Sequence, residues 1–272
     1  MIRRRRDRPL VLRSPGGAPR RRAPRVARLI REIRELKRAV HLRDEFLSMA
    51  SHELNTPLAT LTLVLEEMVH PPAGGAIDPP TMTKMLGLAE RQARRLSRLV
   101  GDLLDSTRIH RNTLALRLER VDLARIVREV VKGFESRFVA ARCEPRLDIG
   151  APVFGQWDPA RIEQVLLNLL SNAVKFGAGS PIEIRVDQAG EAARLAVTDH
   201  GTGIDPTRGA RLFERFERGV TAQHYGGLGL GLYICRHIVE SHGGSISFDS
   251  RPGHGTTFLV TLPCAGPVEP QR

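Results

Sequence analysis

Residues 46–59 read FLSMASHELNTPLA, and three further motifs follow in the second half of the chain: NLLSNAVKFG at 168–177, DHGTGI at 199–204 and GGLGLGL at 226–232. The first motif lies in a pattern typical of an amphipathic helix. The other three lie in an alternating strand and helix pattern, where we expect a ligand that carries phosphate. Their order implies one reactive histidine and one nucleotide pocket.

The first motif belongs to a long helical pattern. Apolar residues recur at helical spacing from about Val26 to Met68, and a break follows at 70–80, which holds four prolines and two glycines. A second helix is predicted from about Thr81 to Arg108. The two helices would form a hairpin with an apolar face too large to leave in water. We therefore predict a homodimer in which two hairpins make a four-helix bundle.

His52 lies on the face of this helix that the apolar stripe leaves open. An imidazole nitrogen with a free lone pair can attack phosphorus. Glu53 is adjacent and can accept a hydrogen bond from the other ring nitrogen, while Thr56 shares a face with His52 and can hold a water there. Pro57 predicts a bend directly after the histidine. The predicted catalytic residues are His52, Glu53 and Thr56.

Asn168 and Asn172 stand four residues apart in a leucine-rich helical pattern, so they share one helix face. Asparagine is unfavourable inside a helix, and two interpretations follow. The side chains either hydrogen-bond a neighbouring loop, or they provide a carbonyl ligand for Mg²⁺, which prefers oxygen donors. Lys175 follows by about one turn, where its charge can neutralise a phosphate.

Asp199 ends a predicted pair of strands that are joined by a turn at Gly190. A carboxylate accepts hydrogen bonds, so Asp199 can bind the exocyclic amine of adenine. Gly201 and Gly203 let the backbone come close to the adenine ring. This short motif is a weak signal alone and a strong one after the asparagine helix.

A second glycine-rich run precedes a predicted helix. Gly227, Gly229 and Gly231 stand where free backbone amides and the helix dipole attract anions, and they also permit a mobile lid. Arg218, upstream of the run, can reach phosphates. Neither a P-loop nor a dinucleotide-binding fingerprint occurs in the sequence.

Composition narrows the functional classes. A chain of 272 residues can carry two domains, and only 4% aromatic residues argues against a surface that stacks single-stranded nucleic acid. Three widely spaced cysteines indicate neither a disulfide framework nor a zinc site. No apolar run of about 18 residues occurs, so we expect no membrane-spanning helix and a cytoplasmic location.

The net charge of +12 is mostly local. Residues 1–26 hold ten arginines and one aspartate, a charge of +9, which leaves +3 for the rest of the chain. With four prolines and two glycines, this segment is predicted to be a disordered tail. It is either a solvated extension or an arm that touches nucleic acid or anionic lipid. Nucleic-acid binding is not expected, since no base-reading module follows the tail.

Together the motifs resemble those of the sensor histidine kinases of bacterial two-component signalling. Residues 46–59 resemble the H-box of the HisKA-type dimerisation and phosphoacceptor domain. Residues 168–177 and 199–204 resemble the N-box and the first glycine box of the ATP-binding domain, which is of the GHKL type. The resemblance covers roughly residues 40–263.

This resemblance implies that ATP phosphorylates His52 with assistance from Glu53, and that Asn172 binds Mg²⁺. It also implies that Thr56 supports phosphatase action on a partner response regulator. The residues that depart from the family's usual types are Asn55, His200 and Leu228.

The predicted organisation is a disordered tail at 1–26, a coiled-coil-like signalling helix at 27–45, a phosphotransfer hairpin at 46–110, an α/β two-layer sandwich that binds ATP at 111–263 and a tail at 264–272. We expect phosphate to pass to an aspartate in the receiver domain of a separate response regulator. Input would come from an upstream sensor or membrane partner, from the tail or from the signalling helix. The alternatives are a GHKL-type ATPase that transfers phosphate to water, and a non-catalytic adaptor whose basic tail binds nucleic acid.

Overall fold

The computed structural model describes residues 22–71, 77–111, 113–209, 211–217 and 228–267. The chain divides into two compact units, at 1–48 and 49–272. Most of the predicted N-terminal tail lies outside the described residues. Within them, none of the helices is both long and apolar enough to cross a bilayer.

The first helix, α1, spans Arg22–Val69. It begins five residues before the predicted boundary at 27, so residues 22–26 are helical and not part of a disordered tail. Pro24 does not prevent this early start, because the first turn of a helix needs no backbone N–H from it. The helix also continues through Pro57, so the proline does not divide it.

The second helix, α2, spans Pro79–His110 and completes the predicted hairpin. Its start is set locally: the Asp78 carboxylate accepts a hydrogen bond from the backbone N–H of Thr81 at 3.2 Å. Pro79 follows in the first turn, where proline is favoured. Val64 of α1 and Leu99 of α2 are buried. Among the described residues of 46–110, the large apolar side chains that remain exposed are Leu47, Leu58, Leu63, Leu65, Val69, Leu86, Val100 and Leu104.

The remaining elements alternate between strands and helices. They are β1 Glu119–Asp122, α3 Leu123–Gly133, α4 Glu135–Ala141, β2 Pro145–Ile149, β3 Phe154–Trp157, α5 Pro159–Phe176, β4 Ile182–Ala189, β5 Ala192–Asp199, α6 Pro206–Gly209, α7 Gly231–Ser241, β6 Ser245–Arg251 and β7 Gly255–Pro263. Five strands form one sheet in the order β2-β4-β5-β7-β6, and β1 pairs with β3 in a separate ribbon. Of the four pairings described in the large sheet, β2-β4 is parallel and the other three are antiparallel.

The large sheet has one covered face. Ile184 of β4, Leu195 of β5 and Val260 of β7 are almost completely buried, whereas alternate positions such as Arg185 and Arg194 are exposed. Helix α5 packs against β5, and α7 packs against both β6 and α5. The predicted helical hairpin followed by a two-layer α/β domain is thus confirmed.

The segment 135–157 holds three short elements: the helix Glu135–Ala141 and the strands Pro145–Ile149 and Phe154–Trp157. Phe134 and Phe138 are one helical turn apart, both nearly buried, with ring centroids 5.7 Å apart. Their burial on one side stabilises a short helix in a segment with no clear periodicity of its own.

Candidate nucleotide site

A cavity of about 930 Å³ lies between the hairpin and the α/β domain, within the second unit of the chain. Helices α1 and α2 provide one wall, through Glu53, Arg95, Arg98 and Asp102. The side chains that complete it from the α/β domain include Asn168, Asn172, Lys175, Asp199, Asp205, Glu217 and Leu230. The predicted nucleotide motifs therefore meet at one place.

Helix α5 carries the two predicted asparagines. Its N-terminus is capped by Asp158, whose carboxylate accepts from the backbone N–H of Arg161 at 3.1 Å. One face of α5 is buried in the core, and Asn168 and Asn172 line the cavity on another. The Asn168 amide lies 3.4 Å from the carbonyl oxygen of Gly231, to which it donates. Asn168 thus hydrogen-bonds a neighbouring segment, as the first interpretation expects, whereas Asn172 borders the cavity and its role as a Mg²⁺ ligand stays a prediction.

Lys175 lies at the far end of the same helix face. It lines the cavity, and its ammonium nitrogen is 4.8 Å from the centre of the Phe176 ring. A cation over an aromatic face is partly held in position by the ring's quadrupole.

Asp199 lies at the end of β5 and is only 5% exposed. Burial raises the pKa of its carboxyl group, while backbone hydrogen bonds from Gly201 and Thr256 oppose that rise. The bond from the Gly201 N–H to Oδ1 measures 3.0 Å. A carboxylate in such dry surroundings can accept a hydrogen bond from a ligand amine with little competition from water.

The two glycines after Asp199 are required by close backbone packing. A Cβ atom on Gly201 would lie 2.0 Å from the carbonyl oxygen of Phe176. Gly203 adopts φ +67°, and a Cβ there would lie 2.2 Å from the carbonyl oxygen of Arg251. Gly203 lines the cavity, whereas Gly201 is not among the described lining residues. Gly201 therefore affects the site through the backbone packing beside it and not by direct contact.

The second glycine run is described only in part. Gly229 and Gly231 line the cavity, and Gly231 is the first residue of α7. Arg218 and Gly227 lie outside the described residues. The α7 N-terminus borders the cavity, and no side chain caps it in the part of the chain described.

The H-box residues are divided between solvent and the cavity. His52 is exposed and is not among the described residues that line the cavity. Glu53 is 9% exposed and lines it; its Oε2 accepts a hydrogen bond from Nη2 of Arg95 at 2.9 Å. The Thr56 hydroxyl donates to the backbone carbonyl of His52 at 3.0 Å. Arg95 is thus the described partner of Glu53 at Oε2, and the hydrogen bond expected between Glu53 and the His52 ring stays a prediction.

Two acidic residues of α2, absent from our sequence prediction, face the α/β domain. Asp105 is buried, and its Oδ2 accepts from Arg161 at 2.6 Å and from Gln164 at 2.8 Å. Asp102 lines the cavity one turn earlier. Burial, reinforced by the charge of Asp105, raises the pKa of Asp102 to about 6, and the charge of Arg98 opposes this. The sequence signal that could have identified this acidic pair is its spacing of three residues, which places both carboxyl groups on one helix face.

Cys235 of α7 lies next to this region. Burial raises the pKa of its thiol to about 12, and a hydrogen bond with Asn168 opposes the rise. The thiol is therefore protonated at neutral pH and packs as a small apolar side chain.

Comparisons with known proteins agree with this geometry. The family described as "His Kinase A (phospho-acceptor) domain" matches residues 42–112, and "Histidine kinase-, DNA gyrase B-, and HSP90-like ATPase" matches residues 157–266. The chain is 32% identical to the circadian input-output histidine kinase CikA of Synechococcus elongatus, over 91% of this chain and 34% of the relative. It is 31% identical to the alginate biosynthesis sensor protein KinB of Pseudomonas aeruginosa, over 86% of this chain and 39% of KinB. The chain therefore spans little more than a third of these curated relatives.

Two solved structures are also similar. The histidine kinase AdeS of Acinetobacter baumannii aligns with a TM-score of 0.58 at 28% identity, covering 78% of this chain and 98% of AdeS. Full-length ShkA in complex with AMPPNP aligns with a TM-score of 0.61 at 26% identity, covering 84% of this chain and 47% of ShkA.

The fold and the cavity define the class of protein. It combines a helical hairpin that carries an H-box with an ATP-binding domain of the type shared by histidine kinases, gyrase B and HSP90. With its two family matches and its relatives, this chain belongs to the sensor histidine kinases.

Proposed function

We propose that this chain is an ATP-dependent protein histidine kinase that phosphorylates itself on His52 and passes the phosphoryl group to an aspartate of a separate response regulator. One observation carries the proposal most directly. Glu53, the residue next to His52, lines the same cavity as Asn172 and Asp199. The phosphoacceptor helix and the nucleotide motifs, separated by more than 100 positions in sequence, thus share one site.

In this proposal ATP binds with adenine toward the buried Asp199 and with its phosphates toward Asn172, Lys175 and the N-terminus of α7. Backbone amides at a helix N-terminus favour anions, and the Lys175 charge adds to this. ShkA, whose structure is similar, was solved in complex with AMPPNP, an ATP analogue. The roles of Gly201, Gly203, Gly229 and Gly231 are to shape this pocket, and we retain Arg218 and Gly227 as proposed phosphate contacts from the sequence alone.

The charges of the cavity support a requirement for Mg²⁺. Among the described residues that line it, six are acidic and three are basic. A bare triphosphate would meet a wall with an excess of negative charge, which a divalent cation offsets. The Asn172 side chain, which borders the cavity, offers the oxygen donor that this ion prefers and would hold it. When bound, Mg²⁺ would neutralise charge on the phosphate oxygens.

Phosphoryl transfer would form a bond between an imidazole nitrogen of His52 and the γ-phosphorus, while the bond from that phosphorus to the ADP oxygen breaks. The proton displaced from the ring leaves to Glu53 or to water. His52 is exposed outside the cavity, so the α/β domain must move relative to the hairpin to deliver the phosphate. Positioning and electrostatic stabilisation provide most of the rate enhancement in such reactions.

Dimerisation is the second part of the proposal. The hairpin exposes a row of large apolar side chains that includes Leu58, Leu65 and Leu104, each about half exposed in a single chain. A second hairpin would cover this row and complete the four-helix bundle. We propose residues 46–110 as the dimerisation and phosphotransfer domain and 111–263 as the catalytic domain. Thr56 would support phosphatase action on the regulator, and the cytoplasmic location remains a prediction from the sequence.

Labelling with γ-³²P ATP tests the kinase proposal. We expect incorporation of acid-labile, alkali-stable label into the wild-type chain, complete loss in His52→Gln and no label in Asn172→Asp. His254→Gln is the matched control, because His254 is exposed in the turn between β6 and β7. Release of free phosphate without any label on the protein would favour the ATPase alternative instead.

A further inference from the structure

The hairpin contributes positive charge to the nucleotide cavity. Of the three basic side chains among the described residues that line it, Lys175 comes from α5, but Arg95 and Arg98 come from α2. Neither arginine belongs to the nucleotide motifs in the sequence. Two positive charges from the hairpin thus line a cavity in which we propose that a triphosphate binds.

The two arginines differ in their neighbours. The charge of Arg98 acts on Asp102, one turn along the same helix, and lowers the pKa of that carboxyl against the effect of burial. Arg95 instead pairs with Glu53 of the H-box, with an Nη2 to Oε2 distance of 2.9 Å. The Arg95 side chain is 39% exposed and that of Glu53 is 11% exposed. Glu53 thus orients one edge of a rigid, planar guanidinium group that has five N–H donors.

Arg95 lines the same cavity as the residues that we propose to contact phosphate. Asp105 of α2 contacts Gln164 of α5, which joins the two helices. Besides this contact, α2 contributes Arg95 to the lining of the cavity, and α5 contributes Asn172 and Lys175.

We propose that Arg95 is a substrate-binding residue: its guanidinium, oriented by Glu53, contacts the terminal phosphate of ATP while the α/β domain lies against the hairpin. The inference rests on the proposed ATP binding, but it does not depend on phosphorylation of His52. Arginine suits this role because its planar donors match phosphate oxygens in pairs. Glu53 would then have two functions, to assist His52 and to hold the arginine that recognises ATP.

The ratio of ATP to ADP affinity is the decisive measurement, because only ATP carries the phosphate in question. Both affinities are measured by calorimetry on the full chain with Mg²⁺, using His52→Gln as the background so that no turnover occurs. We expect Arg95→Ala to weaken ATP binding by about ten- to a hundredfold, the loss of a charge-assisted hydrogen bond, and to change ADP binding by less than about twofold. Arg95→Lys should restore part of the ratio.

Arg94→Ala is the matched control. Arg94 is on the same helix and also pairs with a glutamate, Glu90, but its side chain is 75% exposed and it does not line the cavity among the described residues. Glu53→Gln should lower the ATP-to-ADP ratio less than Arg95→Ala, and the double variant should resemble Arg95→Ala alone. Equal losses of ATP and ADP affinity in Arg95→Ala, or no loss, would overturn the inference while leaving the kinase proposal intact. A parent chain that binds neither nucleotide would overturn both.

Discussion

Asp102→Asn should stabilise this protein at neutral pH, although it removes a charge from a helix that faces the proposed active site. The folded protein raises the pKa of Asp102 from 3.8 to about 6 through burial and through the nearby charge of Asp105. Burial and the Asp105 charge both disfavour ionisation of Asp102, so the ionised carboxylate destabilises the folded state. Asparagine resembles the protonated carboxyl in shape and carries no charge.

The sign and the size follow from linkage. Below pH 3.8 Asp102 is protonated in both the folded and the unfolded chain, so it does not change the free energy of unfolding. Between pH 3.8 and about 6 the unfolded chain ionises first, and the free energy of unfolding therefore falls as the pH rises. The difference of roughly 2 pKa units corresponds to about 3 kcal/mol at most. Because Asp102 lines an open cavity and is partly hydrated, we expect Asp102→Asn to gain about 1–2 kcal/mol above pH 6 and nothing below pH 4.

Urea unfolding across this pH range provides the assay, with the fluorescence of the only tryptophan as the probe. Trp157 is completely buried in the α/β domain, and its indole N–H donates to the carbonyl oxygen of Pro263 at 2.9 Å. The difference between variant and wild type should appear between pH 4 and 6. Asp249→Asn, an exposed position in β6, is the control and should show no such window. Parallel curves for Asp102→Asn and wild type at every pH would refute the reasoning.

Two further predictions concern the α/β domain. Gly201→Ala should abolish nucleotide binding in a calorimetric titration, because the added Cβ would lie 2.0 Å from a carbonyl oxygen. The control Gly150→Ala should bind nucleotide normally, because a Cβ there meets nothing within 4 Å. Normal binding by both variants would contradict the role assigned to Gly201. His242 is fully buried and accepts a hydrogen bond from the Asp158 N–H, and burial lowers the pKa of its imidazole. Stability should therefore decline as the pH falls below about 6.5, and this decline should be shallower in His242→Gln on urea unfolding; identical slopes would show that another group titrates.

Several features of the fold could be read from the sequence because their causes are local. The α2 start follows from Asp78 and two prolines, and the α5 start follows from Asp158 and Pro159. The hairpin turn at Gly190 follows from a residue with φ +62°, which glycine adopts without strain. In each case neighbours within four positions provide the hydrogen bond or the conformational freedom, so the pattern is visible without the fold.

The sequence by itself determined the two helices of the hairpin, the alternating α/β half and the identity of the motif residues, since periodicity and capping act over a few residues. Only the tertiary structure decided that Glu53 meets Arg95 across 42 positions and that Asp105 meets Arg161 across 56. It also decided that Asp102 lies where ionisation is costly. Ion pairs and desolvation depend on which surfaces pack together, and that packing is a property of the whole chain that no local pattern encodes.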